Sequence, residues 1–371
     1  MICSWIEISK EAFNHNVKAL KAIIGDVNLG IVIKSNGYGH GLEIMAMLAQ
    51  ENDSVAIVFV ATAQEALRVR KAGFTKPLCV IAYYDAPFDQ LIIHDIDLVC
   101  YDQQTLTLIV QAAVSVNRIA RIHGKIDTGM NRLGMAPDEL DFFIEAIQNN
   151  HYLSLVGLMS HCADSSFPDS HFTRKQVALF DTLVSRVKDK IPTLVWVHCC
   201  SSGSFLLSKN HTVVRIGTNI YGAWKSSAQK NMLQALFPNF FLRQLLTWKA
   251  KIIALKSIAR GSLVGYSCTF IADRDMRIAI VPVGYADGYP RELSNRGFVV
   301  INTIRAPVVG IVSMGLLIVD VTDISGVDLY SEVVLVSDAA GICIDDCAQI
   351  SGRFNLDLLT RLNPDCARYI V

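Results

Sequence analysis

Leu29-Gly-Ile-Val-Ile-Lys34-Ser-Asn-Gly-Tyr38-Gly-His-Gly41 is the stretch whose reading decides the fold. An apolar, β-branched run stops on a lysine, and three glycines, an asparagine, a tyrosine and a histidine follow at once. The run reads as a buried parallel strand, and the glycines as a loop where backbone approaches something closely. A lysine at the tip of such a strand is placed to form a Schiff base or to meet an anion. Taken alone, it is equally a solvated lysine at a strand end.

Seven further apolar runs follow, at 55–60, 78–82, 98–100, 119–125, 153–160, 193–198 and 212–216. Helix-like segments at 42–49, 63–72, 104–115, 138–149 and 173–188 fill most of the gaps. Eight alternations of buried strand and helix predict a (β/α)8 barrel of the TIM type. Lys34, Lys125, His161, His198 and Arg215 each stand at or just past the C-terminal end of a run. In a parallel barrel those ends meet on one face, where barrel enzymes keep their sites. From Leu245 onward the pattern is strand-like and punctuated by Gly, Pro, Asn and Asp, with a helical segment at 343–362 near the end. The expected organisation is a barrel over residues 1–235 and a β-rich domain over 236–371, joined through 226–239.

Composition narrows the function. The 371 residues are 51% hydrophobic and 18% charged, enough to bury a large core. Lys+Arg and Asp+Glu both number 34, so no electrostatic case exists for nucleic acid or an anionic membrane. The first ten residues lack a basic segment followed by an apolar core, and no 18-residue apolar run occurs. Neither a secretory leader nor a membrane span is expected. Ten cysteines without a CxxC pair read as reduced, mostly buried thiols in a cytoplasmic protein that holds no metal.

Three other stretches carry chemistry. In Lys125-Ile-Asp-Thr-Gly-Met-Asn-Arg132-Leu-Gly134, the arginine could clamp a carboxylate, or pair with Asp127 at the surface. Val195-Trp-Val-His198-Cys-Cys-Ser-Ser202-Gly203, with Gly217-Thr218 after the eighth strand, matches the phosphate site usual after strands seven and eight of a barrel. Gly261-Ser-Leu-Val-Gly-Tyr266-Ser267 and Gly284-Tyr285-Ala-Asp-Gly-Tyr289 are tyrosine-bearing turns of the second domain.

Lys34 to Gly41 resembles the pyridoxal-phosphate (PLP) lysine motif of the alanine racemases. Lys125 to Gly134, Val214 to Gly222 and Val283 to Tyr289 resemble further motifs of that family in the same order, so the resemblance spans nearly the whole chain. It implies a barrel plus β domain in a head-to-tail homodimer with shared sites. It also implies that Lys34 bonds the cofactor and serves as one of two bases, the other being Tyr266 acting in the partner's site. Tyr38, Ser202, Gly217 and Thr218 would contact the phosphate. Arg215 would meet the pyridine nitrogen, His161 would pack on the ring, and His198 would support Arg215. Arg132 would tune Tyr266 and the cofactor edge, Lys125 would orient Arg132 (as a carbamate in some members), and Tyr285 and Met314 would line the substrate entrance.

The chemistry agrees with the resemblance. Two bases on opposite faces of Cα invert it without turning the substrate, while PLP stabilises the carbanion. A phenol ordinarily ionises near 10, and a cation such as Arg132 favours the phenolate. A guanidinium at the pyridine nitrogen cannot give up its proton, which limits the electron sink and favours racemisation over decarboxylation or transamination.

Some positions depart from the family pattern. Gly315 follows Met314 where the family has Asp, and Leu356 stands where the family has a phosphate-binding Tyr; Ser201 and Ile216 replace Asn and Pro. The phosphate is therefore expected to be held less firmly, and the pocket to differ in size. The leading expectation is interconversion of L- and D-alanine, supplying D-alanine for peptidoglycan. The alternatives are a racemase for serine or larger amino acids, and a PLP-binding relative without turnover. The second domain and its tyrosine turns argue against the last.

Overall fold

The computed structural model of the chain describes residues 2–165 and 170–371. Its first strand, β1 (Ser4–Ile8), precedes the eight strands anticipated from the sequence. These are β2 (Asn28–Val32), β3 (Val55–Thr62), β4 (Leu78–Tyr83), β5 (Asp97–Cys100), β6 (Ala120–Lys125), β7 (Leu153–Met159), β8 (Trp196–His198) and β9 (Val213–Ile216). They pair in parallel in the order β8-β7-β6-β5-β4-β3-β2-β9. Between β8 and β9 the wall is completed by Thr212 N–H donating to Val197 O at 3.0 Å and Arg215 N–H to Cys200 O at 3.1 Å. Val32, Ile57, Phe59, Cys79, Val99, Val156 and Trp196 fill the interior, and the helices pack outside. Buried on both faces, the strands are runs of Val, Ile and Leu with little alternation.

Side-chain caps start the helices where the strands end. Ser9 caps Lys10–Ile24, Thr62 caps Ala63–Lys71, Asp102 caps Gln103–Ser115 and Ser226 caps Ser227–Leu236. The last of these lies in the segment read from sequence as a join.

The second half is β-rich: β10 (Leu246–Lys251), β11 (Ala254–Ile258), β12 (Leu263–Val264), β13 (Phe270–Ile271), β14 (Met276–Val281), β15 (Phe298–Ile301), β16 (Ile304–Pro307), β17 (Leu317–Asp320), β18 (Glu332–Val336) and β19 (Ala367–Ile370). A six-stranded sheet runs β16-β15-β18-β10-β1-β19, and a three-stranded sheet runs β11-β14-β17. β1 thus pairs with β10 and β19, whereas the sequence reading assigned residues 1–235 to the barrel. Five residues of apolar alternation cannot say which sheet they join. Near the end of the chain, helices Ile344–Ser351 and Asn355–Thr360 bring Phe354 and Leu356 to the mouth of the barrel. No helix among the described residues is long and apolar enough to cross a membrane.

Candidate active site

The segment after β2 is a tight turn. Ser35, Asn36, Gly37 and Tyr38 have φ of 53°, 55°, 60° and 51°, one turn of left-handed helix. Each L-residue in that conformation costs about 1–2 kcal/mol, least for Gly and Asn, so the turn must be held from outside. Glu65 does this: Oε1 accepts from Ser35 N–H at 2.6 Å, while Oε2 accepts from Ala61 N–H at 2.8 Å beside the Thr62 cap. Asn36 Oδ1 closes the far side by accepting from Leu42 N–H at 3.0 Å. As a result Lys34 and Tyr38 face the same cavity, about 500 Å³ at the C-terminal mouth of the barrel.

Ser202, Gly217 and Thr218 form the floor beside Tyr38. Gly217 N–H donates to Ser202 Oγ at 3.0 Å, which leaves the hydroxyl proton for a ligand. A Cβ on Gly217 would stand 2.8 Å from Tyr38 Oη, so this glycine keeps open a cradle between two loops and a phenol. Burial, and after it the Glu65 carboxylate, push the Tyr38 phenol up to about 12, so it remains a donor at neutral pH. Hydroxyls and a protonated phenol converging on one spot suit an anion.

At the other end of the cavity lies Arg215, buried and anchored by acceptors. Nη1 donates to His198 Nδ1 at 2.5 Å and to His198 O at 2.9 Å. Nη2 donates to Ser160 O at 2.7 Å, His161 Nδ1 at 3.0 Å and Cys199 O at 2.9 Å. Its Nε–H is the one guanidinium donor with no acceptor among the described residues. Because a guanidinium only donates, the Nδ1 atoms of His161 and His198 are bare and both rings carry their proton on Nε2. Burial first, then Arg215, holds both imidazoles well below their ordinary range, so both are neutral.

The chain of bonds continues through the barrel. His198 Nε2 donates to His123 Nδ1 at 2.9 Å, and His123 Nε2 donates to Asp97 Oδ2 at 3.0 Å. Asp97 is also paired with Arg121 Nε at 2.6 Å. Gly157 makes room for this: a Cβ there would lie 2.4 Å from His123 Nδ1.

Burial would raise the Asp97 carboxyl, but the hydrogen bonds from His123 and Arg121, with the Arg121 charge, outweigh it and hold the group below the usual range. A depressed carboxylate contributes stability above its unfolded value near 4, and that contribution is lost as pH falls through the folded value. Asp97→Asn is therefore expected to cost on the order of 2 kcal/mol at pH 7 and to flatten the acid limb of the melting curve. Thermal denaturation from pH 7 to pH 3 checks this; parallel curves for variant and wild type would refute it.

Lys125 is buried beside Arg215. Burial first, then the Arg215 and Arg132 cations, bring its amine down to about 8. The Lys34 amine is likewise held below its ordinary value by burial, Arg132 and Lys225, with Glu65 opposing. Arg132 lies exposed on the rim. Among the described residues, Asp357 is the one carboxylate that lines the cavity with Lys34, Arg132, Arg215 and Lys225, and it is already paired with Arg353 and Arg361.

Of the residues expected at the site, Lys34, Tyr38, Arg132, His161, Ser202, Arg215, Gly217 and Thr218 line the cavity, and His198 supports Arg215 from below. Tyr266, Tyr285 and Met314 do not reach the cavity of their own chain. They are 69%, 44% and 63% exposed on adjoining turns of the second domain, with Tyr285 N–H bonded to Ser313 O at 3.1 Å. Cys162, Cys199 and Cys200 are buried, as expected of small apolar side chains.

Sequence reasoning missed Glu65, Asp97, His123 and Lys225. Thr62-x-x-Glu65 is legible as a capping box, but nothing marks its carboxylate as the support of a distant turn. His123 lies two residues before Lys125, on the same face of β6, and that alternation was the available signal.

The fold and the site define a barrel enzyme with a buried amine, an anion cradle and a fixed guanidinium, the donor set for an anionic carbonyl cofactor. Residues 8–225 match the model of the alanine racemase N-terminal domain, and residues 245–370 that of the alanine racemase C-terminal domain. Alanine racemase 2 of Oceanobacillus iheyensis is 31% identical over 362 residues, covering 95% of this chain and 90% of that protein. Alanine racemase 2 of Caldanaerobacter subterraneus subsp. tengcongensis is 32% identical over 354 residues, covering 93% and 88%. The solved alanine racemase from the D-cycloserine producer Streptomyces lavendulae superposes with a TM-score of 0.90 at 27% identity, covering 100% of this chain and 97% of that one. That of Clostridium difficile 630 gives 0.91 at 25% identity, covering 100% and 96%. The chain belongs to the alanine racemase family, the PLP-dependent amino-acid racemases of fold type III.

Proposed function

We propose that the protein interconverts L- and D-alanine with PLP, using Lys34 of one copy and Tyr266 of a second as the two bases, and so supplies D-alanine for peptidoglycan. The observation that carries this reading is Arg215, whose guanidinium is locked by acceptors on both Nη atoms and keeps only Nε–H for a ligand. Bound PLP would act as an electron sink for charge developing at Cα. Lys34 would hold the aldehyde carbon, Tyr38, Ser202, Gly217 and Thr218 the phosphate, His161 the ring face and Arg215 the ring nitrogen. Arg215 accepts no proton and, fully ionised, gives none, so it keeps that nitrogen neutral and the sink weak. Returning a proton to Cα is the chemistry such a sink favours.

Lys34, held below its ordinary value, has a share of neutral amine to take the Cα proton on one face. The exposed turn bearing Tyr266 supports docking of that phenol against the cavity of a second copy, at the rim where Arg132 stands. Tyr285 and Met314, exposed beside it, would form the entrance. Lys125, at about 8, has the neutral fraction needed to add carbon dioxide and orient Arg132 as a carbamate.

A second reading, a racemase for serine or a larger amino acid, is favoured by Leu356 in the cavity wall and by Gly315, where a Cβ would meet nothing within 4 Å. Incubation with PLP and L-alanine, L-serine, L-lysine or L-arginine, scored by chiral chromatography, separates the two. Alanine is expected to turn over fastest; a faster competitor would establish the second reading, and no turnover of any would overturn both.

A further inference from the structure

The cation Lys225 has no place in the motifs that identify the family. It follows the turn Thr218–Tyr221 and precedes helix Ser227–Leu236, and its side chain lines the cavity. Two side chains fasten it there. Gln229 Oε1 accepts from Lys225 N–H at 3.0 Å, while Gln229 Nε2 donates to Ser202 O and, at 3.5 Å, to Asn219 Oδ1. The backbone of Lys225 is thereby tied to both loops of the anion cradle. On its other side, Asn355 Nδ2 donates to Trp224 O at 2.9 Å, which sets the segment Phe354–Leu356 next to Lys225. The Lys225 ammonium lies 5.9 Å from the Phe354 ring centroid.

Lys225 forms no ion pair among the described residues. Burial holds its amine below the ordinary value, and no carboxylate among the described residues acts on it. Asp357, the one acidic side chain that lines the cavity among the described residues, is already bound by Arg361 at 2.8 Å and Arg353 at 3.3 Å. A half-buried ammonium with no counter-ion among the described residues, lining one cavity with the Ser202 and Thr218 hydroxyls, is incomplete without an anion. Leu356, on the same wall, offers that anion nothing.

We infer that Lys225 is a phosphate anchor of this chain, binding the cofactor's phosphate dianion from the side where Leu356 supplies no donor. The inference rests on the PLP reading above. It reverses the expectation that Leu356 leaves the phosphate loosely held.

The test is titration of the apo-protein with PLP and with pyridoxal, which lacks the phosphate, followed by absorbance, for wild type, Lys225→Met and Lys225→Arg. A charge-assisted bond to phosphate predicts PLP binding weakened on the order of 10- to 100-fold in Lys225→Met, with pyridoxal binding unchanged within about twofold. Lys225→Arg is expected to stay near wild type, and Leu356→Tyr to recover much of the loss in the Lys225→Met background. Equal PLP affinity in wild type and Lys225→Met would overturn the anchor while leaving the cofactor reading intact, as would equal losses for PLP and pyridoxal. Failure of the wild type to bind PLP at all would overturn both.

Discussion

Lys34→Ala is expected to lower racemisation by on the order of 10⁴-fold, the upper end of what one positioned proton-transfer group contributes. On the proposed reading two functions would leave with the side chain, the covalent hold on PLP and the base on one face of Cα. The structure gives Lys34 the features both need. A turn of left-handed helix, braced by Glu65, aims it into the cavity, and burial with nearby cations favours its neutral amine. Two readouts check this, chiral product formation and covalent labelling of the protein when borohydride is added with PLP. Wild type should be labelled and the variant should not. Labelling of Lys34→Ala at the wild-type level would assign the covalent role to another amine, of which Lys125 and Lys225 are the nearest candidates.

Tyr266→Phe is the second large effect. The equilibrium between enantiomers is near unity, so racemisation must fall equally in both directions, by about 10²–10⁴-fold for the loss of one acid–base group. Exchange of the Cα proton should not fall equally. The enantiomer whose proton faces Lys34 should still exchange with deuterated water, with retention, near the wild-type rate. The other enantiomer should nearly stop. Tyr266 stands in a turn where Gly265, Ser267 and Cys268 have φ of 74°, 59° and 48°, a costly backbone that presents one aromatic side chain to solvent. Proton NMR of each pure enantiomer in deuterated water measures both rates. Slight and equal losses for the two would remove Tyr266 from the chemistry.

Most of the barrel was legible because its strands are buried on both faces and therefore read as unbroken Val, Ile and Leu runs. The site was legible where a polar residue ends such a run, as Lys34, Lys125, His198 and Arg215 do. The second domain was read less well. Residues 246–255 look like one strand but divide between β10 and β11 in different sheets. Residues 298–304 look continuous, yet Asn302 and Thr303 turn the chain with φ of 49° and 68°, and a β-branched threonine gives little warning of a left-handed turn. The bond chain from Arg215 to Asp97 and the placing of Lys225 against Phe354 depend on contacts between residues far apart in sequence, which no local pattern encodes.

The central claim is that each site takes Lys34 from one copy and Tyr266 from another, and subunit mixing tests it most directly. Lys34→Ala and Tyr266→Phe chains, each nearly inactive alone, would be co-refolded and the heterodimer verified by mass. If the site is shared, each heterodimer holds one intact site and one doubly deficient site. A random mixture should then recover about a quarter of the wild-type rate. Verified heterodimers that remain as inactive as their parents would contradict the account.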